Sequence, residues 1–206
     1  MKKLLATLLM LATLGMTALA ADDIAAIRET YNHIKTQIAN PDPINYDRPD
    51  STCITIDRML PGSGIQHRTT RIYYQNDDWY PGCDECSMPK ILLATLSYNI
   101  AVWEYYYEYL FDYETHQLLF FYERHIDYDS GNPVESRLYF KNEKLIKAVP
   151  ADAGTATDVQ QALYNANHIK DVFNLVTCDL KPNSVIRNYV RTEFVLRVLL
   201  LVKSKA

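Results

Sequence analysis

The hydrophobic positions of this chain change their spacing three times. From Leu4 to Ala20 the sequence "LLATLLMLATLGMTALA" is apolar almost without interruption and follows Lys2 and Lys3. Then "DDIAAIRETYNHIKTQIANPDP" sets Ile24, Ile27, Tyr31, Ile34 and Ile38 three or four residues apart, which is one face of a helix, and Asn40 with Pro41 ends it. Residues 40–50, "NPDPINYDRPD", read as an irregular linker because three prolines cannot continue the helix. Alternation of period two follows. β-branched runs on either side of Pro61-Gly62-Ser63-Gly64 predict a hairpin with strands near 52–59 and 65–75. Residues 76–90 form a loop rich in Pro, Gly and acid, and Ile91 to Val149 reads as strands and turns. Helical spacing returns in "TATDVQQALYNANHIKDVFNLV", with Val159, Leu163, Ala166, Ile169 and Phe173 on one face and Thr157 as the cap. The tail, 184–206, fits a loose helical stripe and a buried strand equally well. This order predicts an α+β domain: an antiparallel sheet, a meander of about six strands, with the N- and C-terminal helices packed on one face.

The stretch "EYYYEYLFDYETHQLLFFYERH", residues 104–125, asks whether its aromatic side chains form a binding platform or a core. Alternate strand residues face opposite sides. Before the turn the odd positions Trp103, Tyr105, Tyr107, Tyr109 and Phe111 are all aromatic, and after it the even positions Leu118, Phe120 and Tyr122 are apolar. A four-residue turn, Tyr113 to His116, brings the two apolar sets together, pairing Phe111 with Leu118 and Tyr109 with Phe120. The same logic places Tyr122 opposite Leu138 and Phe120 opposite Phe140. The aromatic ladder is then the surface on which the helices pack. The opposite face, with Tyr106, Phe121 and Tyr139 beside Glu104, Glu108, Glu123, His125, Glu135 and Arg137, is left as the candidate binding surface. His125 would stand between Glu104 and Glu135, suited to acid-base work, a pH-sensitive contact or a metal site. The plainer alternative is a solvated cross-strand charge ladder. No serine or cysteine completes a nucleophile with His125.

The opening segment has the anatomy of a secretory signal: two lysines, an apolar run, and an Ala18-x-Ala20 pattern before Ala21. Cleavage after Ala20 is expected in preference to a transmembrane anchor, since the run is at the short limit for a span and contains Gly15 and three threonines. Of 206 residues, removal of the first 20 leaves 186 in a single domain, 21–206, with no membrane span. That mature chain carries 19 basic against 25 acidic residues, a formal charge of −6, and no basic cluster, which excludes nucleic acid as the main partner. Sixteen tyrosines against six phenylalanines and two tryptophans suit sheets with a wet face, since each ring keeps a hydroxyl for water.

Cys83 and Cys86, in "CDEC", have redox spacing, but Asp84 and Glu85 disfavour the thiolate and Pro89 stands where a supporting helix would begin. In an oxidising compartment a structural disulfide framework with Cys53 and Cys178 is the stronger expectation, with the pairing open. One CxxC without a second half is a weak zinc signal, and no cofactor is expected.

The segments "MLPGSG", "YNIAVWEYYYEYLFDYETHQLLFFYERH" and "RLYFKNEKLIKAV" together resemble small uncharacterised secreted proteins of Bacteroides-type bacteria. The unit "EYLFDYETHQLLFFYE" is similar to YD-type and MORN-like hairpins, although Thr115 and His116 stand where a turn glycine is usual. The resemblance implies a β-meander and an exported location, and it carries no catalytic residues. The expected function is an exported, non-catalytic protein that binds an envelope protein, peptide or glycan through its exposed aromatic and charged sheet face. A hydrolase using His125 with nearby glutamates and a purely structural envelope role are the alternatives.

Overall fold

Seven strands follow one another as neighbours in a single antiparallel meander, and a helix precedes and follows them. The computed structural model describes residues 2–40, 48–75 and 89–178, with side chains from Ala21 in the first helix to Thr177 in the last. The elements are α1 (Lys2–Ala39), β1 (Asp50–Leu60), β2 (Gly64–Gln75), β3 (Lys90–Ile100), β4 (Trp103–Phe111), β5 (Leu118–Ile126), β6 (Pro133–Lys141), β7 (Lys144–Val149) and α2 (Ala156–Cys178). The α+β architecture and both amphipathic helices agree with the hydrophobic periods. The uncertain tail, 184–206, and the CxxC loop lie outside the described residues.

The helices do not share a face. Ala162, Ala166, Ile169 and Phe173 of α2 bury Ala94, Tyr109, Phe121 and Leu138. Ile24, Ile27 and Ile34 of α1 bury the alternate layer, Leu93, Leu110, Phe120 and Tyr139. Pairing explains the difference. Beside the β4–β5 turn Phe111 faces Leu118, the register that parity selects, but an irregularity next to it leaves Leu119 as an extra residue. From there Leu110 faces Phe120, Tyr109 faces Phe121 and Tyr105 faces His125. A bulge of one residue turns the rest of β5 over, because side chains alternate strictly along a strand. Both faces are thereby apolar over the same half of the sheet, and each needs a helix.

The two turns flanking β5 are copies of one device. "DYETHQ" at 112–117 and "DYDSGN" at 127–132 align residue for residue. Asp112 Oδ1 accepts from Thr115 N at 2.6 Å and Thr115 Oγ1 at 2.7 Å, and Asp127 Oδ2 accepts from Ser130 N at 3.1 Å and Ser130 Oγ at 2.6 Å. Both turns close with an amide bonding to the Asp carbonyl at 2.9 Å, from His116 in one and Gly131 in the other, and both residues have positive φ. His116 thus occupies the left-handed position its twin gives to glycine. Burial would raise the Asp112 carboxyl, but hydrogen bonds from Thr115 and Glu114 outweigh it and hold it below the usual carboxylate range. Applied to the second turn, this geometry pairs Ile126 with Pro133 and Phe120 with Tyr139, one residue away from the Phe120–Phe140 pairing that parity alone predicts.

α2 begins two residues earlier than a Thr157 cap would place it, with Ala156 as its first residue and Thr155 as its cap. Thr155 Oγ1 accepts from Asp158 N at 3.2 Å while Asp158 Oδ2 accepts from Thr155 N at 3.1 Å, a reciprocal capping box. Its far end is fixed by Phe173, 1% exposed, whose ring lies 5.1 Å from that of Tyr74. Replacing Phe173 with alanine is expected to cost about 3–5 kcal/mol in denaturant titrations, whereas Tyr164→Ser, on the exposed side of α2, should stay within about 0.5 kcal/mol.

Candidate functional site

The register divides the predicted site residues between the two faces. Glu104, Tyr106, Glu135, Arg137 and Tyr139 share the face of α1, and Phe121 and His125 share the face of α2. His125 accordingly lies between Tyr105 and Val134 on its neighbouring strands, not between Glu104 and Glu135, which corrects the expected acid-flanked cluster. Phe121 is buried among Tyr107, Tyr109 and α2 and cannot present a ring to a ligand. Tyr139 is buried too, 3% exposed under α1.

On the α2 face the aromatic residues use their ring faces on one another. Tyr98 stacks between Tyr105 and Tyr107 at 4.9 and 5.9 Å, Tyr107 stacks on Phe121 at 5.9 Å, and Tyr105 stacks on His125 at 5.7 Å. A ladder closed in this way contributes packing energy and rigidity and leaves edges, not faces, toward solvent. His125 Nδ1 is buried and lies 3.2 Å from Glu123 Oε1, without the angle of a hydrogen bond. Ser136 Oγ approaches the same carboxylate at 3.5 Å. Serine and histidine therefore both turn to the acid, which leaves the imidazole out of position to take the hydroxyl proton.

The α1 face carries the one buried carboxylate among the described residues, Glu108, which is 3% exposed. Tyr106 Oη donates to it at 2.6 Å, Lys35 Nζ at 2.9 Å, and the Tyr31 hydroxyl completes the set. Burial alone would raise its pKa, yet the hydrogen bonds from Tyr106, Tyr31 and Lys35 and the charge of Lys35 outweigh burial and lower it. Burial and the same carboxylate push the Tyr31 and Tyr106 hydroxyls well above their ordinary range, so both stay protonated as donors. This cluster fastens the C-terminal turns of α1 to β4, while Lys141 Nζ, donating to Asp23 at 2.7 Å, fastens the helix to β6 further toward its N-terminus.

On the same face lies a trough of about 990 Å³ floored by β2 to β5. Glu104, Tyr106 and Arg124 line it with His67 and Asn99. Arg124 lies 5.5 Å from the Tyr106 ring centre. Asn99 stiffens the rim, accepting from His67 N at 2.7 Å and donating to Ile65 O at 3.2 Å and Ala101 O at 3.1 Å. His67 Nδ1 meets Asp57 Oδ1 at 2.8 Å on the next strand. The strand ends around this trough expose large apolar side chains: Met59 at 69%, Val102 at 83% and Tyr128 at 76%, with Ile65, Ile100, Ile126 and Val134 beside them. Sequence reasoning missed this fringe because each residue sits alone in a turn or at a strand end, and only the meander brings these ends into one row.

Glu135 and Arg137 lie on the far side of the trough from His67, joined to each other at 2.8 Å. Cys53 is a free, exposed thiol on β1, so its expected disulfide is not formed here, and no disulfide occurs among the described residues. Cys83 and Cys86, with the side chain of Cys178, lie outside the described residues. No helix among the described residues is long and apolar enough to cross a membrane. Comparison with protein-family models, with curated proteins and with solved structures found no match.

The Glu108 cluster has a defined pH signature. A carboxyl lowered in the fold stabilises above the ordinary glutamate range, and that stability is lost as pH falls through the lowered value. Glu108→Gln is expected to cost about 1–3 kcal/mol at neutral pH, with a deficit that shrinks on acidification, both read from urea unfolding at a series of pH values. A deficit that stays constant into acid would refute the charged state.

Proposed function

We propose that this is an exported, non-catalytic binding protein whose uncovered half-sheet docks a partner protein of the envelope. The apolar fringe carries this reading: Met59, Val102 and Tyr128 stand exposed at the same end of the sheet, beside a trough that holds Glu104, Tyr106 and Arg124. Clustered exposed apolar residues next to mixed charges and tyrosine have the composition of a protein interface. A glycan would instead call for open aromatic faces, and on the α2 side those faces are spent on stacking. A hydrolase built on His125 is the weaker reading, because its imidazole and Ser136 converge on Glu123 and not on each other.

Export rests on the opening segment. Its cleavage after Ala20 would leave the described core whole, since Ile24 is the first buried residue among the described side chains of α1. A chain beginning at Ala21 is therefore expected to unfold at the same denaturant midpoint as the full-length chain, and a lower midpoint would show that residues 1–20 belong to the fold.

A photo-crosslinking amino acid placed at Val102 or Tyr128 in the native host should trap one and the same partner, with no adduct from Tyr164, which is 69% exposed on α2. Equal adducts at all three positions, or none at Val102 and Tyr128, would reject the interface.

A further inference from the structure

Apart from the trough, the α1 face contains a second hollow, between the first described turns of α1 and strands β5 to β7. Its volume is about 400 Å³, within the range of small-molecule sites. Ile27, Phe120 and Val149 make its apolar walls. Arg28 and Arg137 both line it, and no carboxylate does. Two guanidiniums thus line one hollow, Arg137 paired with Glu135 and Arg28 with no carboxylate among the lining residues.

The state of those two arginines is the informative part. Arg28 Nε donates to Tyr139 Oη at 3.2 Å, and its guanidinium carbon lies 5.5 Å from the Tyr139 ring centre. Arg137 donates through one terminal nitrogen to Glu135 at 2.8 Å and lies 5.4 Å from the Tyr122 ring centre. Each guanidinium is thus placed against an aromatic ring and held by one hydrogen bond. A guanidinium has five N–H donors in a rigid fork, so most of the donors in the hollow are unspent and already oriented. The neighbouring acid Glu135 takes one terminal nitrogen of Arg137, and Glu108 is already engaged by Tyr31, Tyr106 and Lys35.

We propose that this hollow binds a small monocarboxylate with an apolar body, such as a medium-chain fatty acid or an aromatic acid. The carboxylate lies on Arg28 and Arg137, where forked, charge-assisted hydrogen bonds replace its water. The hydrocarbon lies against Ile27, Phe120 and Val149, which gain burial at about 25 cal/mol per Å² of apolar area. Because α1 forms one wall and the sheet the other, the bound acid bridges the two layers and stabilises their contact. The site is separate from the trough, so its occupancy and the capture of a protein partner are measured independently.

Octanoate is the probe. Titrated into the intact protein, it should raise the thermal midpoint in a concentration-dependent manner and shift the methyl resonances of Ile27 and Val149. Octylamine, with the same chain and the opposite charge, and inorganic phosphate, with charge and no chain, should do neither. Arg28→Gln and Arg137→Gln should each weaken octanoate binding about tenfold or more, with circular dichroism confirming the fold. Arg28→Lys, which keeps the charge and loses the fork, should fall between. Equal responses to octanoate and octylamine, a phosphate response as large as that to octanoate, or unmoved Ile27 and Val149 methyls would each overturn the proposal. So would unchanged binding in the two glutamine variants, and the methyl shifts decide the matter in the unsubstituted protein even where a variant unfolds.

Discussion

A sheet that is apolar on both sides cannot stop at one covering layer. Leu93, Leu110, Phe120 and Tyr139 are buried on one face of one half of the sheet, and Ala94, Tyr109, Phe121 and Leu138 on the other, so each face requires a helix. The meander itself is assembled from local hairpins, but a hairpin alone does not hold in water, and the two helices supply the burial that makes the sheet stable. α2 does so chiefly through the apolar side chains Ala162, Ala166, Ile169 and Phe173. α1 adds a buried carboxylate, and Glu108 with its three donors fixes where along the sheet that helix lies.

The same constraint explains where function is available. The strands run on past the helices, so that the half of the sheet nearest the β3–β4 and β5–β6 turns is uncovered. On the α2 side this half is closed by tyrosines stacked on each other and on His125. On the α1 side it stays open as the trough, rimmed by apolar strand ends. Where the covering is present but imperfect, next to α1, a hollow remains that is walled by hydrocarbon and two arginines. The trough and the hollow are what the packing of the two helices against the sheet leaves over.

Much of this was legible in the sequence. The isoleucine spacing of α1 and the Val159 to Phe173 stripe of α2 mark helices because a single apolar face on a 3.6-residue period has no other use. Alternation marks the strands, and Asp112 and Asp127 mark the turns through side chains that bond the backbone two and three residues on. The pairing beside the first turn, Phe111 with Leu118, also followed from parity. The candidate site was less legible. Glu104, Tyr106 and His125 do line the trough, and Arg137 and Tyr139 do line the smaller hollow, but Phe121 is core and the cross-strand neighbours of His125 are Tyr105 and Val134 in place of glutamates.

By itself, then, the sequence determined the element types, their order, the antiparallel meander and the turns, because each rests on contacts between residues close along the chain. The repeated "DYETHQ" and "DYDSGN" even contained the β5–β6 register, since equal turns impose equal pairing. Tertiary structure alone decided the bulge at Leu119, which no residue type announces. It also decided the face each strand residue takes beyond that bulge, and the assignment of one helix to each side. Those features are settled by which arrangement buries the most apolar area with every hydrogen bond made, a sum over distant residues. A shift of one residue beside a turn was enough to point His125 to the opposite face from Glu104 and to separate the two side chains.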